Sequence, residues 1–372
     1  MIARLVGSEM CIRDRSRTLL LESLVKESEV CFDTETTSLN ALESELVGIA
    51  FSWEVGKGYY LPVPEENEKA IEVLEPLKAF FENEEIKKIG HNLKYDLKVL
   101  RNYDISVKGQ LFDTMIAHYL INPDMRHNMD ILAESYLKYS PKSITELIGK
   151  KGINQRSMRE VSIEDQTEYA VEDADITFQL KSHFEKEMKK TKTLELFSNV
   201  EIPLVEVLTD MECEGVNLDR KFLKELSKVL LEDIKSLENL IHNEAGVDFN
   251  LASPKQLGSV LFDELKLVEK PKKTKTGQYS TSEDVLSSLA KEHKIISNIL
   301  DWRSLQKLQN TYVDALPNEI NLKSGRIHTI YNQAVAATGR LSSNNPNLQN
   351  IPVRTERGCL LYTSPSPRDE QS

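Results

Sequence analysis

Acidic side chains occur in this sequence at spacings that can build a metal site. Asp33 and Glu35 lie two apart in the strand-like run EVCFDTET, and because strand side chains alternate between faces, both project from the same side. They follow the apolar run 30–32, where two buried carboxylates are very costly without a cation. Such hard oxygen ligands suit Mg²⁺ or Mn²⁺ rather than zinc. The pair therefore predicts a divalent-metal site, although a D-x-E motif alone also arises by chance in an acidic chain.

Two further pairs of polar residues are spaced four apart, which predicts that each pair shares one face of a helix. Asn92 and Asp96 occur in HNLKYDLKVL, and Tyr169 and Asp173 occur in YAVED. Either pair alone is equally typical of ordinary half-exposed helix surface, so only their combination with the first two acids indicates chemistry. The nearest histidine is His91, for which structural and functional roles are equally open.

The first half of the chain must position these acids, and its pattern predicts a sheet followed by helices. Three strand-like runs read as a β-meander: EVCFDTET, LVGIAFSW and GYYLPVP. A short helix at 72–81 precedes a fourth strand at 86–89. Helical patterns end near Leu100, then span 114–120, 129–137 and about 163–188, the last beginning after the capping residue Ser162. This order predicts an α+β or mixed α/β layer domain.

Beyond residue 192 the pattern changes to long amphipathic helices, which are predicted at 202–214, 220–244, 253–265 and 282–291. A basic loop, KPKKTKTG, lies between two of them, and strand-and-loop texture returns at 327–351. The sequence has no run of 18 apolar residues, which excludes a transmembrane helix of that kind. Its four cysteines show no close pairing, which excludes a disulfide framework or zinc ribbon and favours a reducing, cytoplasmic setting.

The net charge gives a misleading first impression of the partners. The chain has 47 Lys+Arg against 59 Asp+Glu, a formal charge of −12, which argues against a nucleic-acid partner. However, residues 303–358 contain seven Lys or Arg against three Asp or Glu, a local charge of +4. Metal-binding carboxylates also reverse their local sign once a cation is bound. The distribution of charge is therefore compatible with a nucleic-acid partner, and the net charge does not exclude one.

Three motifs taken together resemble a known family. FDTET, HNLKYD and YAVEDAD occur in the order of the three exonuclease motifs of the 3′→5′ proofreading domain of bacterial DNA polymerase I, family A. That domain is the tyrosine subtype of the four-carboxylate, RNase H-like exonucleases. Downstream, GVNLD, FNLASPKQL, RSLQKLQNTYVDALP and ATGRLSSNNPNLQNIPVR are similar to the thumb and the first part of the palm of the same family. The resemblance covers about residues 20 to 358.

The resemblance implies roles for residues of the first half. Asp33, Glu35 and Asp173 would hold one divalent ion, Mg²⁺ or Mn²⁺, and Asp33 would bridge to a second ion whose site Asp96 supports. Tyr169 would orient the attacking water. Asn92 would hold the terminal nucleotide, with a role as a helix cap as the alternative. Leu39 would wedge against the terminal base, with a place in the core as the alternative.

The resemblance also implies a fold and a DNA partner for the chain. The fold is α/β, an RNase H-like exonuclease domain with a mixed sheet flanked by helices, followed by a mainly helical thumb and an incomplete palm. The partners are a single-stranded 3′ end and a primer-template duplex, bound by a set of basic and polar residues: Lys272, Lys273, Lys275, Arg303, Lys307, Arg340, Gln349 and Asn350. Solvated surface is the alternative for the basic loop. We expect a monomer, without membrane contact, in the bacterial cytoplasm at the nucleoid.

The expected domain limits follow from the resemblance and from the ends of the chain. Residues 17–192 are the exonuclease domain and residues 193–358 are the thumb and start of the palm. Residues 1–16 and 359–372 resemble translated sequencing-adapter read-through and are expected to be non-native tails; natural disordered tails are the alternative.

The expected function is 3′→5′ proofreading exonuclease activity, by two-metal hydrolysis of the 3′-terminal phosphodiester of DNA. The family's polymerase aspartates and fingers helix have no counterpart in this sequence, so we expect no polymerase activity from this chain although its parent protein would have it. Two alternatives stay open: a catalytically silent DNA-binding fragment, and an RNase D-like exoribonuclease, which shares the acid motifs but lacks the TGRLSS and NLQNIP segments.

Overall fold

The computed structural model describes residues 14–152, 154–352 and 356–362. The chain folds into two compact units. The first comprises the described residues through Glu214 together with Ile330–Ser342, and the second comprises Gly215–Thr329 and the described residues from Ser343. The sequence boundary at residues 192/193 therefore falls inside the first unit, at the end of its longest helix.

A five-stranded mixed sheet is the centre of the first unit. Its strands are β1 (Glu29–Thr36), β2 (Leu46–Glu54), β3 (Lys57–Pro62), β4 (Lys87–Gly90) and β5 (Leu111–Asp113). Their order is β3-β2-β1-β4-β5, with β1–β2 and β2–β3 antiparallel and β1–β4 and β4–β5 parallel. The sequence predicted both ends of each of the first four strands to within two residues, but it did not predict β5. Strand β1 is consequently central, with a neighbouring strand on each side.

Ten α-helices of the first unit lie among the described residues: α1 (Asp14–Leu24), α2 (Asn67–Leu74), α3 (Lys78–Phe81), α4 (Leu93–Arg101), α5 (Thr114–Ile121), α6 (Met129–Leu132), α7 (Ile144–Ile148), α8 (Ile163–Thr191), α9 (Leu194–Leu196) and α10 (Ile202–Glu214). Helix α8 packs along β1, β2 and β3. Its N-cap is Ser162, whose hydroxyl accepts from the Asp165 amide at 3.2 Å, as the sequence predicts. The apolar core lies between the sheet and these helices.

The second unit is mainly helical. It contains α11 (Arg220–Ala245), α12 (Pro254–Ser259), α13 (Glu283–Leu289), α14 (Lys294–Leu308) and α15 (Glu356–Cys359). Apolar residues of α11 and α14 pack together in its core. Two short strands agree with the strand-and-loop texture predicted for 327–351: β6 (Ile330–Asn332), which belongs to the first unit, and β7 (Ser342–Asn344), which begins at the last residue of the first unit's segment 330–342.

Short parts of the two segments assigned to non-native tails lie within the described residues. Helix α1 begins at Asp14, inside the segment 1–16, and α15 continues into a 3₁₀ turn at Leu360–Tyr362. Residues 1–13 and 363–372 of the expected tails lie outside the described residues. Across the described part of the chain, no helix combines the length and the low polarity that a bilayer crossing requires.

Candidate metal centre

Strand β1 and helix α8 bring three carboxylates together. Asp33 and Glu35 project from the same face of β1, because they alternate with Phe32 and Thr34 along the strand. Asp173 lies on α8, which packs against β1. One oxygen of each of the three carboxylates lies within 4.8 Å of the others. Asp173 therefore forms a compact acidic cluster with Asp33 and Glu35, although it is distant from them in sequence.

The chemistry of this cluster fits a divalent cation. Glu35 and Asp173 are buried, and Glu35 Oε1 has no hydrogen-bond partner among the described residues. Burial raises the pKa of Asp33 to about 7, and burial with repulsion from Asp33 raises the pKa values of Glu35 and Asp173. Buried like charges without a counter-ion are strongly unfavourable. An oxygen-preferring cation relieves both the repulsion and the unsatisfied acceptor.

Asp96, the fourth predicted acid, lies beside this group rather than within it. It is buried on α4, and its Oδ1 accepts from the Thr34 amide at 3.2 Å and from the Thr34 hydroxyl at 2.5 Å. Burial and repulsion from Asp33 raise its pKa, while the Thr34 hydrogen bonds lower it. Asp96 is thus oriented by β1 and electrostatically joined to the cluster through Asp33.

The predicted placement of Asn92 on the same helix face as Asp96 is wrong. Helix α4 begins at Leu93, and Asn92 precedes it in a left-handed conformation with φ of 63°. Its side chain makes no capping hydrogen bond, so the alternative role as a cap is also wrong. The helix is capped instead by Asp113, whose carboxylate accepts from the Asn92 and Leu93 amides at 3.2 and 2.8 Å.

Tyr169 lies one turn before Asp173 on α8, as the four-residue spacing predicts. Its hydroxyl interacts electrostatically with the Asp173 carboxylate. Burial and the negative charges of Asp173, Glu35 and Asp33 raise the pKa of Tyr169, so it stays protonated at neutral pH. A protonated phenol beside the carboxylates can donate to or orient a water molecule.

Leu39 lies after β1 and is 84% exposed. Its alternative interpretation as a core residue is therefore wrong. An exposed leucine three residues beyond the end of the acid-bearing strand is available for apolar contact with a ligand. His91 follows β4, and its Nδ1 lies 2.9 Å from the Thr114 hydroxyl; burial lowers its pKa to about 4. It has a structural partner and is neutral at physiological pH.

The second unit contains an open groove of about 710 Å³. Arg303 and Lys307 line it from α14, together with residues 278–282 and Trp302. The Arg303 guanidinium donates to the Thr281 carbonyl and, at 3.2 Å, to the Thr281 hydroxyl. Lys307 is exposed. Two of the predicted basic residues thus line the same groove.

The three lysines of the basic loop are exposed and lie close in sequence to residues that line this groove. Lys273 forms an antiparallel bridge with Tyr279, and its ammonium lies 5.0 Å from the centre of the Tyr279 ring. Gly277 adopts a φ of 82°, and the Thr274 amide donates to the Gln278 carbonyl at 2.7 Å. The segment is a tight turn with exposed lysine side chains.

The remaining predicted DNA contacts lie in different units. Arg340 is exposed in the segment 330–342 of the first unit, whereas Gln349 and Asn350 are exposed in the second. The amides of both later residues donate to Asn347 Oδ1, at 3.0 and 3.2 Å. Their assigned roles stay predictions.

Sequence reasoning missed two residues that orient parts of the site. Thr34 orients Asp96, and Asp113 caps α4 while its Oδ1 also accepts from the Met115 and Ile116 amides of α5, at 2.8 and 3.3 Å. The Asp-Thr pair at the start of α5 is a capping signal that could have located Asp113. Thr34 has no such signal, since its partner is 62 residues away.

Comparison with known proteins agrees with this arrangement. Residues 14–189 match the family model described as 3′-5′ exonuclease, and residues 220–364 match that of DNA polymerase family A. The chain is 42% identical over 357 residues to DNA polymerase I of Chloroflexus aurantiacus and 41% identical over 350 residues to that of Pseudomonas aeruginosa. These matches cover 93% and 91% of this chain but 38% of each relative.

A solved structure is similar as well. It is the POL domain of Pol1 from M. smegmatis in complex with DNA primer-template and dNTP, with a TM-score of 0.76 and 30% sequence identity. The match covers 92% of this chain and 56% of that chain. The chain therefore spans well under two thirds of its relatives' length, in a region that joins an exonuclease segment to a polymerase segment.

Proposed function

Because the chain belongs to DNA polymerase family A and carries that family's 3′-5′ exonuclease segment, we propose that it removes nucleotides from the 3′ ends of DNA. The reaction is hydrolysis of the terminal phosphodiester, which serves proofreading when joined to polymerisation. The observation that carries the proposal is the cluster of half-buried Asp33 with buried Glu35 and Asp173. Asp96 and Tyr169 lie beside it, and the hydrogen bonds and ion pairs of the described residues give the cluster no basic partner.

The residues of the cluster divide the chemical work. Asp33, Glu35 and Asp173 would hold divalent metal, either Mg²⁺ or Mn²⁺, and Asp96 would support a second ion near Asp33. Bound metal ions supply a nucleophilic water at neutral pH and stabilise the oxygens of the attacked phosphate. Tyr169 orients that water through its protonated hydroxyl, and the exposed Leu39 contacts the terminal base. Asn92, whose side chain makes no capping hydrogen bond, would hold the terminal nucleotide.

DNA is the proposed substrate because both segments match families of DNA polymerases and the M. smegmatis relative binds a primer-template. The exposed lysines 272, 273 and 275, with Arg303, Lys307, Arg340, Gln349 and Asn350, would contact the phosphate backbone or the minor groove. We assign residues 17–192 to the exonuclease domain and residues 193–358 to the thumb and the start of the palm.

The proposal is tested with a 5′-labelled single-stranded DNA and the variant Asp33→Ala with Glu35→Ala. The wild type should shorten the DNA from its 3′ end in Mg²⁺ and stop in EDTA, while the double variant should lose at least about 10⁴-fold in rate because the metal site is removed. A matched control is Glu65→Ala with Glu68→Ala, which removes two exposed acids of the same unit.

Two other outcomes select the alternatives. Tight DNA binding by the wild type with no metal-dependent shortening identifies a catalytically silent DNA-binding fragment. Faster shortening of a matched RNA than of the DNA identifies an exoribonuclease.

A further inference from the structure

A buried charge cluster of the first unit lies outside the metal centre. Glu212 of α10 is 2% exposed, and its carboxylate accepts from two lysine ammonium groups of α4: Lys94 Nζ at 2.5 Å and Lys98 Nζ at 2.5 Å. The side chains of these lysines are 11% and 9% exposed. Buried charges are rare and costly unless paired, so this arrangement is a built feature of the fold.

The two lysines stand on either side of Asp96 along α4. Lys94 is two residues before Asp96 and Lys98 is two residues after it, so the one carboxylate of Glu212 is tied to the helix before and after the residue that faces the metal centre. From β1, Thr34 holds Asp96 Oδ1 directly. The turn of α4 that carries Asp96 is therefore fixed by two separate elements.

Glu212 is itself fixed by the segment 330–342, which belongs to the same compact unit. The Tyr331 amide donates to Glu212 Oε1 at 2.7 Å, and the Lys94 ammonium donates to the Tyr331 carbonyl. Further along, Gln333 Nε2 donates to Glu201 Oε2 at 2.9 Å, and the Tyr119 hydroxyl donates to the Ala336 carbonyl at 2.8 Å. The backbone of Tyr331 thus satisfies both a carboxylate oxygen and an ammonium of the cluster.

We propose that Glu212 is a positioning residue for the metal centre. By binding Lys94 and Lys98 it fixes the position of α4 along its axis and its rotation about that axis, and thereby the position of Asp96. The inference rests on the proposed function in so far as Asp96 supports metal binding there. Partners outside the direct ligands commonly change metal affinity or activity by roughly 10- to 100-fold when removed. A displacement of about 1 Å can cost a similar factor in rate.

The test compares three variants of the full chain. Glu212→Gln keeps the size of the side chain and an acceptor for the Tyr331 amide but removes the charge that binds both lysines. Lys98→Met removes one tie to α4 and leaves a neutral Lys94–Glu212 pair, so it is expected to fold even where Glu212→Gln does not. Glu201→Gln is the matched control, because Glu201 also holds the segment 330–342 through Gln333 but makes no contact with the two lysines in the hydrogen bonds of the described residues.

Two readouts separate positioning from general stability. Calorimetric titration with Mn²⁺ in the absence of DNA measures affinity, and amide hydrogen exchange measures the opening of residues 93–101. Glu212→Gln and Lys98→Met should weaken Mn²⁺ binding by about 10-fold or more and speed exchange in α4. Glu201→Gln should stay within about twofold of the wild type in affinity. Nuclease assays on the same samples should show a lower kcat with little change in KM for DNA.

The possible results are distinguishable from failure of the proposed function. The inference is overturned if a folded Lys98→Met variant binds Mn²⁺ as tightly as the wild type. It is also overturned if Glu201→Gln loses as much Mn²⁺ affinity as Lys98→Met. A wild type that binds no Mn²⁺ also overturns it. A wild type that binds Mn²⁺ but releases no nucleotide overturns the proposed function, while weaker Mn²⁺ binding by Lys98→Met in the same experiment still supports the role of Glu212.

Discussion

Replacing Asp33 by Asn should stabilise the metal-free protein at alkaline pH. Burial raises the pKa of Asp33 from 3.8 to about 7. An acid whose pKa is higher in the folded state binds its proton more tightly there, so folding is penalised as pH rises from 3.8, and the whole penalty is present above pH 7. A shift of about three pKa units corresponds to roughly 4 kcal/mol. Because Asp33 is only half-buried, solvent screening reduces this to about 2 kcal/mol.

The assay is thermal unfolding in EDTA at pH 8 and at pH 4, for the wild type and Asp33→Asn. At about 2–4 °C per kcal/mol for a unit of this size, the variant should unfold about 4–8 °C higher at pH 8 and show almost no gain at pH 4. Saturating Mg²⁺ should reverse the order, because a ligand at about 100 times its Kd stabilises the wild type by about 2.7 kcal/mol. A variant that is less stable than the wild type in EDTA at pH 8, or equally stabilised at both pH values, would refute this electrostatic reasoning.

Three further predictions concern other residues of the first unit. Thr34→Val should lower the nuclease rate or the Mn²⁺ affinity by about 10-fold, because Asp96 loses the hydrogen bond from the Thr34 hydroxyl. Thr34→Ser keeps a hydroxyl and should behave like the wild type. Equal Mn²⁺ affinities of the two variants in a titration would contradict this prediction. Asp113→Ala should lower the free energy of unfolding by about 2 kcal/mol in urea denaturation, since it removes the cap of both α4 and α5, and an effect near zero would exclude that role. Lys88 is fully buried with carbonyl acceptors at Asn83 and Lys108, and burial lowers its pKa from 10.5 to about 8. As pH rises from 8 to 10.5, the free energy of unfolding of the wild type should therefore increase by up to about 3 kcal/mol relative to that of Lys88→Met. Urea denaturation that shows a constant difference between the two proteins across that pH range would refute this prediction.

Much of the first unit was predictable because its signals are local. The alternation of EVCFDTET specifies β1, and the cap at Ser162 specifies the start of α8. Once both elements were located, the spacing of Asp33 with Glu35 and of Tyr169 with Asp173 predicted which side chains share a face. The meeting of Asp33, Glu35 and Asp173 came from the family resemblance, since no local rule places a strand and a distant helix together.

The features that were missed depend on contacts between distant residues. Strand β5 is three residues long, and it is recognisable only through its pairing with β4. Asn92 was wrongly placed on a helix, because i,i+4 spacing carries no information about where a helix begins. The start of α4 depends on Asp113, at the end of β5, which caps the helix. The carboxylate of Glu212 lies 118 residues from Lys94 and 114 from Lys98, so neither its burial nor its partners leave a sequence pattern. That segment 330–342 belongs to the first unit was also not predictable, because its contacts are with residues distant in sequence, such as Glu212.

The most direct test of the central claim is a time course on a 5′-labelled single-stranded DNA, with the wild type and the variant Asp33→Ala with Glu35→Ala compared in Mg²⁺ and in EDTA. Cleavage at the carboxylate cluster predicts a ladder that shortens one nucleotide at a time from the 3′ end, only for the wild type and only in Mg²⁺. The same ladder from the double variant, or from the wild type in EDTA, would contradict the assignment of hydrolysis to Asp33, Glu35 and Asp173.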